Sequence, residues 1–205
     1  MSDATTGFYE VAMKWRAHQP TPGLLMHNQR LADPTDPYTQ RLAAAVRGTK
    51  KSLAEILAAS KIEFEGALYH DEDIGPYIPA RNILNCIAGA AGKLKLKSTI
   101  RGSSMVLGPD GDDRLALEYD GPRDVEGLWE KGLYLRCTRK QGQSRVLRTV
   151  PRWTEWELPT FTIMLDTEDC SRSKFDAVLT LLKRNGALGD FRPQHGRFDI
   201  VEVKG

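Results

Sequence analysis

Cysteine is scarce in this chain: Cys86, Cys137 and Cys170 are the three, set far apart in a length of 205 residues. Such spacing fits neither a disulfide framework nor a zinc ribbon, and reduced thiols are expected. No apolar run approaches the roughly 20 residues that a membrane span requires, so no membrane partner is expected. The opening "MSDATTGFYEV" lacks the apolar core of a secretion signal, which leads to the expectation of a cytoplasmic protein. There is no P-loop, no dinucleotide fingerprint and no G-x-S-x-G elbow, so neither a nucleotide cofactor nor a serine nucleophile is indicated. No cofactor is expected, and no internal repeat or low-complexity tract breaks the chain. Charge of one sign is also missing in sum: the formal net charge is +2, which by itself says nothing about partners.

What is present is ordinary globular composition, 40% hydrophobic and 27% charged, enough for a real core. The length points to a single domain, 1–205, with an insertion at about 71–152. The charge is segregated. "GKLKLKSTIRGSS" carries Lys93, Lys95, Lys97 and Arg101 without an acid. "RCTRKQGQSRVLRTVPR" carries Arg136, Arg139, Lys140, Arg145, Arg148 and Arg152, again without an acid. Segregation of this kind builds basic surfaces on a nearly neutral protein, although solvated strands whose charges alternate in space are the competing explanation.

Periodicity places the elements. In "FYEVAMKWR", Tyr9, Val11, Met13 and Trp15 fall on one face at period two, the mark of a half-buried strand. Helical patterns follow from Tyr38 to about Val46 and from Ser52, where Ser52 and Glu55 form a capping box, to about Ser60. "KIEFEGALYH" reads as a strand with Ile62 and Phe64 inward, and Pro79 starts a helix through about Ala91. "STIRGSSMVL" reads as a strand, "GLYLRCTRKQGQSRVLRTV" as a hairpin, and "TEWELPTFTIMLD" as a strand interrupted at Pro159. Ser173 caps a helix whose Phe175, Val178, Leu179 and Leu182 recur at helical spacing, and 197–203 is the closing strand. The order, less the insertion, is βαββαβ: an α+β, ferredoxin-like or RRM-like antiparallel sheet with helices on one face and a thumb-like inserted hairpin. Such a sheet has one open face on which single-stranded nucleic acid is bound in RNA-recognition domains.

Between the last helix and the last strand lies "NGALGDFRPQHGRF", with Gly186, Gly189 and Gly196 spaced around Arg192, His195 and Arg197. A glycine-rich loop in that position resembles the RAMP superfamily, the RRM-like proteins that form CRISPR backbone subunits and guide-RNA processing enzymes. The whole chain, through "LLMHNQRLADP", "GPYIPARNI" and "RTVPRW", also resembles an uncharacterised family of phage and prophage proteins. The first resemblance implies a loop lying along an RNA backbone and subunits assembled side by side, as an oligomer or filament. The second implies residence in a bacterial host's cytoplasm. The chemistry is compatible. Gly186 suits a left-handed helix end, and Gly189 and Gly196 leave room for a ligand backbone. Arg192 and Arg197 suit phosphate, and Phe191 or His195 suits a base. Asp190 departs from the pattern, since its charge opposes phosphate. The competing reading is a self-contained loop with Gly186 as a cap and an Asp190–Arg197 ion pair.

Other candidates are weaker. His27, in "LLMHNQRL", occupies the region where RAMP endonucleases often carry a general base, and imidazole has a suitable pKa. "YHDEDIGPY" offers His70, Asp71, Glu72 and Asp73, but consecutive residues cannot all face one ion, so an exposed acidic turn is expected and no metal site. Trp15, Trp129, Trp153 and Trp156 are expected in the core or anchoring loops, with Trp153 the least secure. The expectation is therefore a single-stranded nucleic-acid-binding protein, for RNA or DNA, that grips the backbone, with the question of enzymatic activity left open between this and the alternatives below. Its nucleic-acid-binding residues would be Lys93, Lys95, Arg136, Arg139, Lys140, Arg145, Arg148, Arg152, Gly189, Arg192, His195, Gly196 and Arg197. The alternatives are a metal-independent RNA endonuclease using His27, and a phage structural or assembly protein that touches no nucleic acid.

Overall fold

The computed structural model describes residues 7–48 and 51–202. In chain order the strands and helices begin with β1 (Phe8–Ala17), β2 (Leu24–Leu25), α1 (Pro37–Ala45), α2 (Leu53–Ala67), β3 (His70–Asp71) and β4 (Gly75–Pro79). Next come α3 (Ala80–Ala91), α4 (Lys97–Ser103), β5 (Ser104–Leu107), β6 (Arg114–Ala116) and α5 (Val125–Glu130). The chain closes with β7 (Tyr134–Gln141), β8 (Ser144–Trp153), β9 (Phe161–Asp166), α6 (Arg172–Asn185) and β10 (Phe198–Glu202). The fold is mixed α+β with antiparallel sheets. No helix among the described residues is long and apolar enough to cross a membrane.

Two compact units divide the chain: residues 1–24, 77–119 and 154–205 form one, and residues 25–76 and 120–153 form the other. The first is built on a four-stranded sheet in the order β10-β1-β9-β5. Period-two patterning in β1 buries Val11, Met13 and Trp15, and β9 does the same with Phe161, Ile163 and Leu165. Trp15 stacks on Phe198 at 4.1 Å and meets Phe161 edge-on at 5.3 Å. Against this face lie α3, through Ile83, Cys86 and Ile87, and α6, through Phe175, Val178, Leu179 and Leu182. The cap of α6 is Ser171, two residues before the expected Ser173.

The second unit is a helical pair beside a hairpin. The capping box of Ser52 and Glu55 is present, and α2 packs on β8, α1 and α5. β7 and β8 pair in register from Tyr134↔Pro151 to Gln141↔Ser144. Phe64, Leu68, Leu128, Val150 and Trp153 are its buried apolar centre.

Two expectations are corrected. Residues 61–67 continue α2 and do not form a strand, because Phe64 and Ala67 are buried at helical spacing from Ala59 and Ser60. Residues 97–103 are likewise helical, and only Ser104–Leu107 reaches the sheet. The second strand to enter the sheet is thus β5, preceded by α3, while α1 and α2 belong to the other unit.

Candidate nucleic-acid interface

The hairpin of the second unit separates the arginines that the sequence groups together. Residues directly opposite in an antiparallel pair share a face. Arg136↔Thr149, Thr138↔Leu147 and Lys140↔Arg145 therefore belong to one face, and Cys137↔Arg148 and Arg139↔Val146 to the other. Arg136, Arg139 and Arg145 are exposed, and Arg152 is half-buried. The Lys140 side chain lies outside the described residues. Arg148 is committed: its guanidinium pairs with Glu63 of α2, whose other carboxylate oxygen accepts the Thr149 N–H at 2.6 Å. Burial pushes the Glu63 carboxyl up, against the opposing pull of Arg148 and the Thr149 N–H. An arginine holding a buried carboxylate is poorly available to phosphate, so Arg148 is a structural residue of this unit.

On the face of Arg136 the geometry adds a feature that the sequence did not announce. Trp129, half-buried on α5, stacks on Tyr134 at 4.5 Å with an interplanar angle of 21°. The Arg136 guanidinium lies 5.4 Å from the Tyr134 ring centroid and 6.0 Å from that of Trp129. Beyond them, Leu147 is 45% exposed and Arg145 is exposed on the same face. Neither Arg136 nor Arg145 has an acidic partner among the described residues. This strip combines aromatic surface, an apolar side chain and two unneutralised guanidinium groups, the chemistry that single strands engage. The only hint in the sequence was the aromatic spacing "GLWEKGLY", which periodicity assigns to packing.

In the first unit, the glycine loop is largely closed on itself. Leu188 N–H donates to the Gly196 carbonyl at 2.9 Å, and Gly196 N–H to the Gly23 carbonyl at 2.8 Å. The Cys86 thiol of α3 donates to the Ala187 carbonyl at 3.2 Å, and its burial pushes the thiol up to about 11. Gly196 has φ +75°, and a Cβ there would lie 1.7 Å from the Leu188 carbonyl oxygen. Its missing side chain accommodates the loop's own backbone, which corrects the expectation of an opening for a ligand. Gly186 is corrected too. Its φ is −64°, and it is glycine because a Cβ would meet the Leu182 carbonyl oxygen at 2.4 Å and the Phe198 ring at 2.8 Å. Gly189, at φ +82°, does use the left-handed region.

The charged members of the loop divide in the same manner. Arg192 is exposed, whereas Arg197 donates to the Arg184 carbonyl at the end of α6, at 2.8 Å. Asp190 accepts the Phe191 N–H at 2.9 Å, and His195 stands edge-on to Phe191 at 6.2 Å. Lys93 and Lys95 sit apart, exposed in the turn between α3 and α4.

The sheet face opposite the helices is a poor phosphate surface. Register places Phe8, Glu10, Ala12, Lys14 and Arg16 of β1 beside Thr162, Met164 and Asp166 of β9. Lys14 pairs with Glu157 at 2.7 Å and Glu118 at 3.3 Å, and Arg16 lies 3.9 Å from Asp199.

His27 is half-buried in a segment held for structural reasons. Its neighbour Asn28 caps a one-turn helix through Arg30 N–H and donates to the Leu68 carbonyl at 2.9 Å. His70 contacts the Arg123 carbonyl at 2.8 Å, and Asp71 accepts from Asp73 N–H and Ile74 N–H, so "HDEDIG" is a tight turn. Among the described residues no three His, Cys, Asp or Glu side chains are placed to hold a metal ion. Trp15, Trp153 and Trp156 are buried.

No family model matches the chain, and no curated protein matches it.

Proposed function

We propose that the protein binds single-stranded nucleic acid through the hairpin β7–β8, with Arg136 and Arg145 on phosphates and the Trp129–Tyr134 pair against a base. The observation that carries this reading is the Trp129–Tyr134–Arg136 group, an aromatic stack beside a guanidinium that no carboxylate among the described residues neutralises. Phosphate contacts fix position and carry no sequence information, and stacking is tolerant of sequence, so the mode is non-specific. Duplex is disfavoured because its bases offer no free faces to the aromatic pair.

The ferredoxin-like, RRM-like arrangement belongs to the same proposal. It is supported by the sheet order β10-β1-β9-β5, with α3 before β5 and α6 between β9 and β10. With the other elements set aside, these four strands stand in the order fourth, first, third, second. The resemblance to the RAMP superfamily and to phage proteins accords with it, and side-by-side assembly along the strand rests on that resemblance alone. The binding surface of this proposal is the hairpin, not the sheet face, whose Lys14 is already neutralised.

Fluorescence anisotropy with a single-stranded oligonucleotide and its blunt duplex, at several salt concentrations, tests the proposal. Neutralising about four to six phosphates gives a log–log salt slope of roughly −3 to −4 for the single strand. Weak binding that does not respond to salt, or equal affinity for duplex, overturns it.

A further inference from the structure

Another basic surface, an open depression, lies in the first unit, at the turn that joins α3 to α4. After Ala91 the chain makes one turn of 3-10 helix, and Lys95 then adopts the left-handed conformation, φ 61° and ψ 21°. Lys95 N–H to the Gly92 carbonyl and Leu96 N–H to the Ala91 carbonyl, both 3.1 Å, hold the reversal. The turn and α4 enclose an open depression of about 570 Å³ lined by Lys95, Lys97, Ser98, Arg101 and Gly102. That volume falls within the roughly 300–1,000 Å³ typical of small-molecule sites.

Three cations line this one concavity, and among the described residues none of them pairs with a carboxylate. Solvent screens these exposed charges from one another, and a bound anion would add attraction to all three. Arg101 is also oriented: its Nη2 donates to the Asn85 side-chain oxygen on α3 at 3.0 Å, which leaves Nε and Nη1 as donors. A guanidinium can fork to phosphate oxygens through two such N–H groups. Ser98 supplies a hydroxyl donor, and at Gly102 a Cβ would meet nothing within 4 Å, so the wall there stays open.

We infer that this depression is a phosphate-binding site, separate from the hairpin, for a phosphate group carried either by a nucleic-acid strand or by a free nucleotide. Arg101 is the oriented fork, Lys95 and Lys97 supply charge from the rim, and Ser98 donates from the first turn of α4. The site does not depend on the hairpin reading, because its residues belong to the other unit and need no aromatic partner.

The test uses the full chain, labelled with ¹⁵N, and its Lys97→Gln/Arg101→Gln variant, with inorganic phosphate, a nucleoside 5′-monophosphate and a single-stranded oligonucleotide. The Ser98 and Gly102 amide signals are expected to move with ligand, and the variant to bind at least about fivefold more weakly. A response to phosphate and mononucleotide identifies a free anion as the source; a response to the oligonucleotide alone identifies the strand. Silent Ser98 and Gly102 amides with all three ligands, or equal affinity in the variant, overturns the site. If Arg136→Ala/Arg145→Ala abolishes oligonucleotide binding while these amides stay silent, this inference fails and the hairpin reading stands. If the amides respond and the hairpin variant binds as the wild type does, the reverse holds.

Discussion

The Gly196 α-carbon faces the Leu188 carbonyl so closely that a Cβ would sit 1.7 Å from its oxygen. Three spaced glycines between a helix and a strand invite the idea of a cradle for a ligand, yet at this one the loop has filled its own cradle. Gly196→Ala is expected to destabilise the protein by about 2–4 kcal/mol, combining left-handed strain with a backbone clash. Urea unfolding measures this. A stable Gly196→Ala protein with weakened oligonucleotide binding would restore the ligand explanation.

The two arginines of that loop are expected to behave differently. Arg197→Ala removes the donor to the Arg184 carbonyl and should lower stability by about 0.5–1.5 kcal/mol, with oligonucleotide affinity unchanged. Arg192 is exposed, and Arg192→Ala should leave the unfolding midpoint where it is. Parallel melts and binding titrations of the two single variants separate the roles, and equal melting losses would refute the division.

Glu63 and Arg148 make stability depend on pH in a definite direction. Burial raises the Glu63 carboxyl, so folding favours its protonated form. Its contribution is complete below the unfolded value of about 4.3 and is lost as pH rises through the higher folded value. Arg148→Ala removes the attraction that restrains the shift, so the raised pKa should climb further. The deficit of that variant is expected to be small near pH 4 and about 1–3 kcal/mol near neutrality. Glu63→Gln should flatten the profile. Urea melts across pH check it, and a deficit that does not change with pH counts against the pair.

Fluorescence isolates the aromatic group at the base of the hairpin. Trp15, Trp153 and Trp156 are at most 3% exposed, whereas Trp129 is half-buried. Acrylamide should quench one tryptophan readily, Trp129→Phe should remove that accessible fraction, and a bound oligonucleotide should shield it. An unchanged accessible fraction in Trp129→Phe would show that another indole faces solvent.

Local signals in the sequence located several elements, although the caps of α6 at Ser173 and Gly186 were misjudged. The strand at Phe8–Ala17, the capping box of Ser52 and Glu55, the hairpin turn near Gly142 and the apolar stripe of α6 are all legible from periodicity and cap chemistry. "KIEFEGALYH" misled because a buried helix face and a half-buried strand share the same short apolar pattern, and only the packing of Phe64 and Ala67 in the second unit chose helix. The arginines of 136–152 were visible as a basic run, but the pairing register assigns them to two faces, and Glu63, more than seventy positions away from either arm's start, removes Arg148 from the set.

The sequence by itself determined that the chain is mixed α+β with a charged hairpin and a glycine-punctuated loop, because turn residues, caps and hydrophobic period act within a few positions. Tertiary structure alone decided which cations are unneutralised, which aromatic pair stands beside a guanidinium, and which glycine is occupied by its own chain. Those outcomes depend on distances between residues remote in sequence, and charge and contact act through space, not along the chain.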